Sequence, residues 1–380
     1  MRIPFNKIYF TGKETEYISK ALEMASLVGD GHFNDKVVDL LEERLEGASV
    51  LTTTSGTHAL ELAMLLIDIK PGDEVILPSF TFTSTANAIM LFGGVPVFVD
   101  INPSTLSIEA GEIEKKIGKK TRAIMPVHYG GIGCQMDSIM ELAKKNNLYV
   151  VEDAAQVVGS KYLDKPLGTW GHIGCYSFHG TKNFISGEGG AISINIKEPS
   201  IVERAEIIRQ KGTNRNKFLK GEVDKYSWVD IGSSYVPSDI LMAILYSQLL
   251  EMDLIISKRE VIVRNYMEKL QPLVDKGKII SMTNIPEKFK SNYHNFYMIL
   301  KDERTRDRLI RALKESHIQS YIHYVPLHSS PMGLSLGYKP SDLPITEKTG
   351  ETLLRLPFYT DMTLEESDYV VEKLYKFFNI

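Results

Sequence analysis

The sequence predicts an α/β protein in two lobes. The larger, residues 1–240, is built on a mostly parallel sheet; the smaller, residues 241–380, is a C-terminal α+β lobe. Three observations predict this. Short apolar runs alternate with amphipathic stretches from about Ala48 onward, the alternation stops near residue 237, and 380 residues can bury more than one core.

The elements follow in order. "VLTTT" precedes the helical pattern "THALELAMLLI", "DEVILPS" precedes "TSTANAIMLF", and "PVFVD" precedes "IEAGEIEKKI". "TRAIMPVHY" precedes "MDSIMELAKKNN", then come "LYVVED" and "GHIGCYSF". Apolar runs of this length between helical periods argue for βαβ units. Past residue 237, "PSDILMAILYSQLLEMDLIISKREVIVRNYMEKLQPLV" reads as long helix with one break. The strand "HNFYMILK", the helix "DERTRDRLIRALKESH", the strand "QSYIHYV" and the helix "LEESDYVVEKLYKFF" complete the smaller lobe.

Bulk composition narrows the function. Net charge is −4 with no basic, aromatic-laced stripe, which argues against a nucleic-acid surface. Apolar stretches fall short of the roughly 18 residues of a membrane span, and the start lacks a secretory pattern, so no membrane insertion and a cytoplasmic location are expected. Cys134 and Cys175 form no CxxC pair, so neither structural zinc nor a disulfide framework is expected.

In parallel sheets ligands gather at the carboxyl ends of the strands, which directs attention to three segments. In "TTTSGTHAL" the turn Ser55-Gly56-Thr57 opens a helix, and so reads either as an ordinary N-cap or as a seat for a phosphate. In "LYVVEDAAQ", Glu152 and Asp153 close an apolar strand; Asp153 is either a helix cap or a carboxylate that keeps a heterocyclic nitrogen protonated. In "SFHGTKN", Lys182 follows the next apolar run, where a desolvated amine forms a Schiff base with an aldehyde. An anion seat, a carboxylate and a lysine in this order are the three parts pyridoxal 5'-phosphate requires, with pyridoxamine 5'-phosphate as its amine form.

The chain also resembles a known family, the DegT/DnrJ/EryC/StrS sugar aminotransferases. The resemblance rests on "TSGTHAL", "PSFTFTSTANA", "VEDAAQ", "SFHGTKN" with "GEGGA", "HYVPLH" and "RLPFY". "GDGHF", "PVHYGG", "GTNR" and "DKYSWVDIGSSY" are similar to the subgroup that forms dTDP-4-amino-4,6-dideoxygalactose for enterobacterial common antigen. The resemblance implies an aspartate aminotransferase-like fold (fold type I) and a homodimer with active sites at the subunit boundary. It implies L-glutamate and dTDP-4-keto-6-deoxyglucose as substrates, in ping-pong order, with a 4-amino gluco product or a 3-amino sugar as alternatives within the family.

Carried over position by position, the resemblance makes Lys182 the catalytic, cofactor-binding lysine and Asp153 the partner of the ring nitrogen. Gln156 would lie near the phenolic oxygen, Gly56, Thr57 and Ser177 at the phosphate, and Phe82 on the ring. Where many members carry an asparagine that reaches the neighbouring subunit's phosphate, this chain has Ser233 and Ser234, and Ser234 takes that expectation. His323, Tyr324 and His328 in "HYVPLH" are expected near substrate. His128 and Tyr129 end a strand and read equally as lining or packing, and Arg215 as a solvated loop residue or a grip on a nucleotide diphosphate. The lysine argues against the related dehydratases, which carry histidine there. A non-enzymatic regulator on the same fold stays open, although no helix-turn-helix pattern supports DNA binding.

Overall fold

The computed structural model describes residues 1–25 and 27–379. The apolar runs become strands β1 (Ser49–Thr53), β2 (Glu74–Pro78), β3 (Val95–Val99), β4 (Thr121–Ile124) and β5 (Tyr149–Asp153). A hairpin of β6 (Lys161–Tyr162) and β7 (Lys165–Pro166) leads into β8 (Ile173–Ser177) and β9 (Gly190–Ile194). Seven of these form one sheet in the order β1-β9-β8-β5-β4-β2-β3. Only β9 runs against its neighbours, so the sheet is mostly parallel, as expected. β5 is the central strand and carries Asp153 at its carboxyl end.

Each face of the sheet is covered by helices, because strands buried on both sides need an apolar layer on each. One core gathers Ile76, Ile124, Val150 and Tyr176 with the helix His32–Arg44. The other gathers Leu77, Val151 and Cys175 with the helix Gly56–Leu66. That helix follows edge strand β1 yet packs across β9 onto β8. A Cβ on Gly190 would lie 2.4 Å from the Ser55 carbonyl carbon, so glycine there lets the turn approach the sheet.

The smaller lobe has a third core around Ile262, Tyr266, Phe296 and Leu374. Its sheet is β10 (Ser281–Met282), then, after β11 (Phe289–Lys290) pairs with β6, β12 (Tyr297–Ile299) and β13 (Leu353–Arg355), all antiparallel. The long helix breaks as anticipated: Asp239–Leu250 and Met252–Asp275 meet at 62° across Glu251. Leu249, Met252 and Ile255 pack in the larger lobe and Ile262 onward in the smaller. The expected boundary at 240/241 therefore falls at the start of the first helix, and the cores change hands within the second. Ile3 also belongs to the smaller lobe, bridging Ile318.

One expectation of local structure needs correction, and one strand was not anticipated. "QSYIHYV" forms no strand, only a single bridge from Tyr321 to Arg355, because its backbone turns toward the site instead of following β13. "GAISI", for which the sequence analysis names no element, is β9. No single helix among the described residues is long and apolar enough to cross a membrane, and the bent pair buries Met242, Leu245 and Met252 in the core.

Candidate active site

The turn that follows β8 folds back on itself. Phe178 N–H donates to Gly189 O at 2.8 Å and Lys182 N–H to His179 O at 2.8 Å. Lys182 is thereby aimed into a cavity of about 450 Å³ on the carboxyl side of the sheet. Burial lowers its pKa, the charge of Asp153 raises it, and Arg355 lowers it again, leaving it at about 8.

Asp153 faces the same cavity, 6% exposed. Its Oδ2 accepts from the Thr85 hydroxyl at 2.8 Å and its Oδ1 from Ala155 N–H at 3.2 Å. Thr85 is itself fully buried and paired with Thr81 at 2.8 Å. Gln156 is fixed from both ends: its Oε1 accepts from Gly130 N–H and its Nε2 donates to Tyr324 Oη, each at 2.8 Å.

The turn at Ser55 completes the cavity floor. Ser55 caps the helix Gly56–Leu66 through His58 N–H, and Thr57 pairs with Ser84 at 2.7 Å. The N–H groups of Gly56 and Thr57 head the helix and have no intrahelical acceptor. A Cβ on Gly56 would lie 2.8 Å from Ser177 Cβ, so only glycine keeps this cradle open. An open anion cradle, a buried carboxylate and an amine of pKa about 8 on one cavity fit pyridoxal phosphate.

Of the residues expected at the site, Ser55, Gly56, Thr57, Phe82, Asp153, Gln156, Ser177, Lys182, His323 and Tyr324 line the cavity. Five do not. His128 is fully buried behind it, with Nδ1 3.1 Å from Cys134 N and Nε2 2.8 Å from Glu152 Oε2. His328 is fully buried too, tied by Nδ1 to the Ser79 hydroxyl at 2.7 Å. Tyr129 stands behind His323 and Tyr324, with Oη 3.1 Å from His323 Nδ1 and its ring 6.1 Å from that of Tyr324. Arg215 opens the short helix Arg215–Leu219 and Ser234 bridges Gln210, both away from this chain's own cavity.

Sequence reasoning missed Thr85, Arg259, His294, Asn295 and Arg355, all of which line the cavity. Thr85 and Arg355 lie within motifs already quoted, "TSTANA" and "RLPFY", whereas "SNYHNFY" offered no signal beyond its polar residues.

Residues 10–375 match the family described as the DegT/DnrJ/EryC1/StrS aminotransferases. A GDP-perosamine synthase of Escherichia coli O157:H7 is 33% identical, covering 99% of each chain. A pleiotropic regulatory protein of Geobacillus stearothermophilus is 35% identical over 85% of this chain and 83% of its own. The solved structure of NtdA from Bacillus subtilis, with bound cofactor PMP, superimposes with a TM-score of 0.89 at 28% identity, covering 100% of this chain and 86% of that one.

Proposed function

Because the chain belongs to the DegT/DnrJ/EryC1/StrS aminotransferase family, we propose that it moves the amino group of L-glutamate onto C4 of a nucleotide-linked 4-keto-6-deoxy sugar. It is a sugar aminotransferase of the pyridoxal phosphate-dependent α/β fold, and its cofactor is pyridoxal phosphate. The single observation that carries the reading is the meeting of Lys182, Asp153 and the Ser55–Thr57 turn on one cavity.

Ser55, Gly56, Thr57 and Ser177 would hold the cofactor's phosphate, Asp153 its ring nitrogen and Gln156 the side of its phenolic oxygen, with Phe82 against the ring face. When bound, the cofactor supplies an electron-poor ring that accepts the electron pair left as a proton leaves the amine-bearing carbon. Lys182, with its amine free above about pH 8, takes that proton in the first half-turn and returns one to the sugar carbon in the second. Glutamate leaves as 2-oxoglutarate and the sugar C=O becomes CH–NH₂, so no external oxidant or reductant is required.

The preferred acceptor is dTDP-4-keto-6-deoxyglucose, giving dTDP-4-amino-4,6-dideoxygalactose for a surface polysaccharide. The GDP-perosamine synthase relative favours testing a GDP-linked sugar beside it. The working unit is a homodimer: Phe82, Trp228, Val229 and Ile231 are 60%, 80%, 53% and 57% exposed on the single chain. In that dimer Arg215 and Ser234 would serve the second copy's cavity. Both cysteines are buried and unpaired, which fits a reducing cytoplasm.

The test is a one-pot reaction of purified protein with pyridoxal phosphate, L-glutamate and either nucleotide sugar, the product read by NMR. An axial C4 amine on the dTDP sugar is expected. Exclusive use of the GDP sugar would replace the acceptor, and amination of neither would overturn the sugar assignment.

A further inference from the structure

The segment 291–295 runs between the two lobes into the cavity wall, and both lobes hold it. From the larger, Asn183 Nδ2 donates to Asn292 O at 2.7 Å. The Asn292 amide donates in turn to Val158 O at 2.9 Å and Gln156 O at 3.1 Å. From the smaller, Arg259 donates from Nε to Tyr293 O at 2.8 Å and from Nη2 to His294 O at 2.7 Å. A Cβ on Gly131, whose φ is +95°, would lie 2.9 Å from His294 N, so glycine there lets the segment press against the larger lobe. The backbone of His294 is thus fixed from both sides.

Its ring is fixed as well. Asn183 uses its amide on a carbonyl, so the Oδ1 that lies 2.9 Å from His294 Nδ1 accepts, and Nδ1 carries the proton. Burial, then the charges of Lys182, Arg259 and Arg355, hold this imidazole well below its ordinary pKa, so the ring is neutral. Nε2 is therefore an acceptor, and among the described residues no protein donor meets it.

Lys182 stands beside it. The two residues share the wall of the main cavity, and with Asn183 and Asn292 they border a second cavity of about 10 Å³, the room one water takes. The other charged or titratable groups that face the pair are Asp153, Arg355, Arg259 and His323. The arginines only donate, Asp153 already accepts from Thr85 and Ala155, and His323 Nδ1 is engaged by Tyr129.

We propose that His294 is a positioning residue for the transamination: its Nε2 accepts a hydrogen bond from the Lys182 amine whenever that amine is not bonded to the cofactor. This rests on the aminotransferase reading above. An amine on a flexible four-carbon stem can point many ways once released. One acceptor at a fixed place holds it toward the carbon whose proton it moves, in both half-turns. The same bond favours the ammonium over the free amine.

The test reads Lys182 through the pH at which cofactor-free protein begins to capture pyridoxal phosphate, which needs neither substrate. In His294→Leu the ammonium loses its acceptor, so the break should move down from about 8 by about one pH unit. In the loaded enzyme the limiting rates of the glutamate and sugar half-turns should both fall at least about tenfold, with half-saturating concentrations within about twofold of wild type. His294→Gln keeps an acceptor at similar reach and should restore most of the break and of both rates. Asn183→Ala frees the ring to carry its proton on Nε2, so the break should move the same way by less; it gives an independent reading if His294→Leu folds poorly. Nitrogen NMR of the wild type should show His294 still neutral and protonated at Nδ1 as pH falls through the ordinary histidine range. A break that stays near 8 in His294→Leu, or a Gln variant as impaired as the Leu one, would overturn the assignment. Failure to aminate either sugar would leave the capture experiment standing and strike the proposed function alone.

Discussion

Thr85 donates its hydroxyl to Asp153 across 2.8 Å, so the helix that begins after Phe82 holds the carboxylate that closes the central strand. Thr81 lies behind it, 2.8 Å from Thr85, and both hydroxyls are shut away from water. Thr85→Val keeps the volume but removes a donor from a carboxylate only 6% exposed. Losing a hydrogen bond to a buried charge costs about 1.5–3 kcal/mol. Pyridoxal phosphate should be held at least about tenfold more weakly, measured by fluorescence titration of the cofactor-free protein. Thr81→Val, one bond further back, should do less. Equal effects at the two positions would mean that general packing, not the bond to Asp153, is responsible.

Lys182 makes a prediction about pH. Burial depresses its pKa to about 8 against the pull of Asp153, and Arg355 assists the depression. Below about 8 the amine is protonated and cannot attack an aldehyde; above it the amine is free. Covalent capture of pyridoxal phosphate by cofactor-free protein should therefore quicken with pH and level off above about 8. Asp153→Asn removes the charge that raises the pKa, so the break should move to lower pH. Arg355→Gln removes one that lowers it, so the break should move up. A break near the ordinary lysine value of 10.5 would contradict the burial. Lys182→Ala should abolish transamination with either substrate.

Glu152, the neighbour of Asp153, supports the fold rather than the chemistry. It is fully buried and accepts from His128 Nε2 at 2.8 Å, Gly168 N–H at 2.7 Å and Gly171 N–H at 2.6 Å. Glu152→Gln turns one acceptor into a donor facing another donor, which should cost about 3 kcal/mol. Urea unfolding should show a lower midpoint with an unchanged slope, while turnover per folded molecule stays near wild type. A loss of turnover without a loss of stability would bring Glu152 and His128 back into the active site.

The strand-and-helix rhythm made the large sheet and its central carboxylate legible, because buried parallel strands must be apolar and must end where ligands gather. β9 was not legible, since the glycines that let Ser55 approach the sheet also disguise the strand. Strand-end position misled at His128, whose side chain turns inward to meet Glu152, a partner 24 residues away. His294 was hidden for a different reason. Its ring is fixed by Asn183, 111 residues away, and only packing brings the two together.

Trp228 is the remaining test, because it links assembly to activity. Its side chain is 80% exposed in a stretch that also shows Val229 and Ile231 to solvent and contains Ser234. Burying about 150 Å² of that indole against a second copy is worth about 4 kcal/mol at ~25 cal/mol/Å². Trp228→Glu should lose that burial and also desolvate a charge, weakening association at least about 100-fold. Sedimentation equilibrium should find the wild type dimeric and the variant monomeric. Because Arg215 and Ser234 stand away from their own chain's cavity, the monomer should fold normally yet lose cofactor and sugar half-turn activity. A variant that is monomeric and fully active would show that one chain completes its own site.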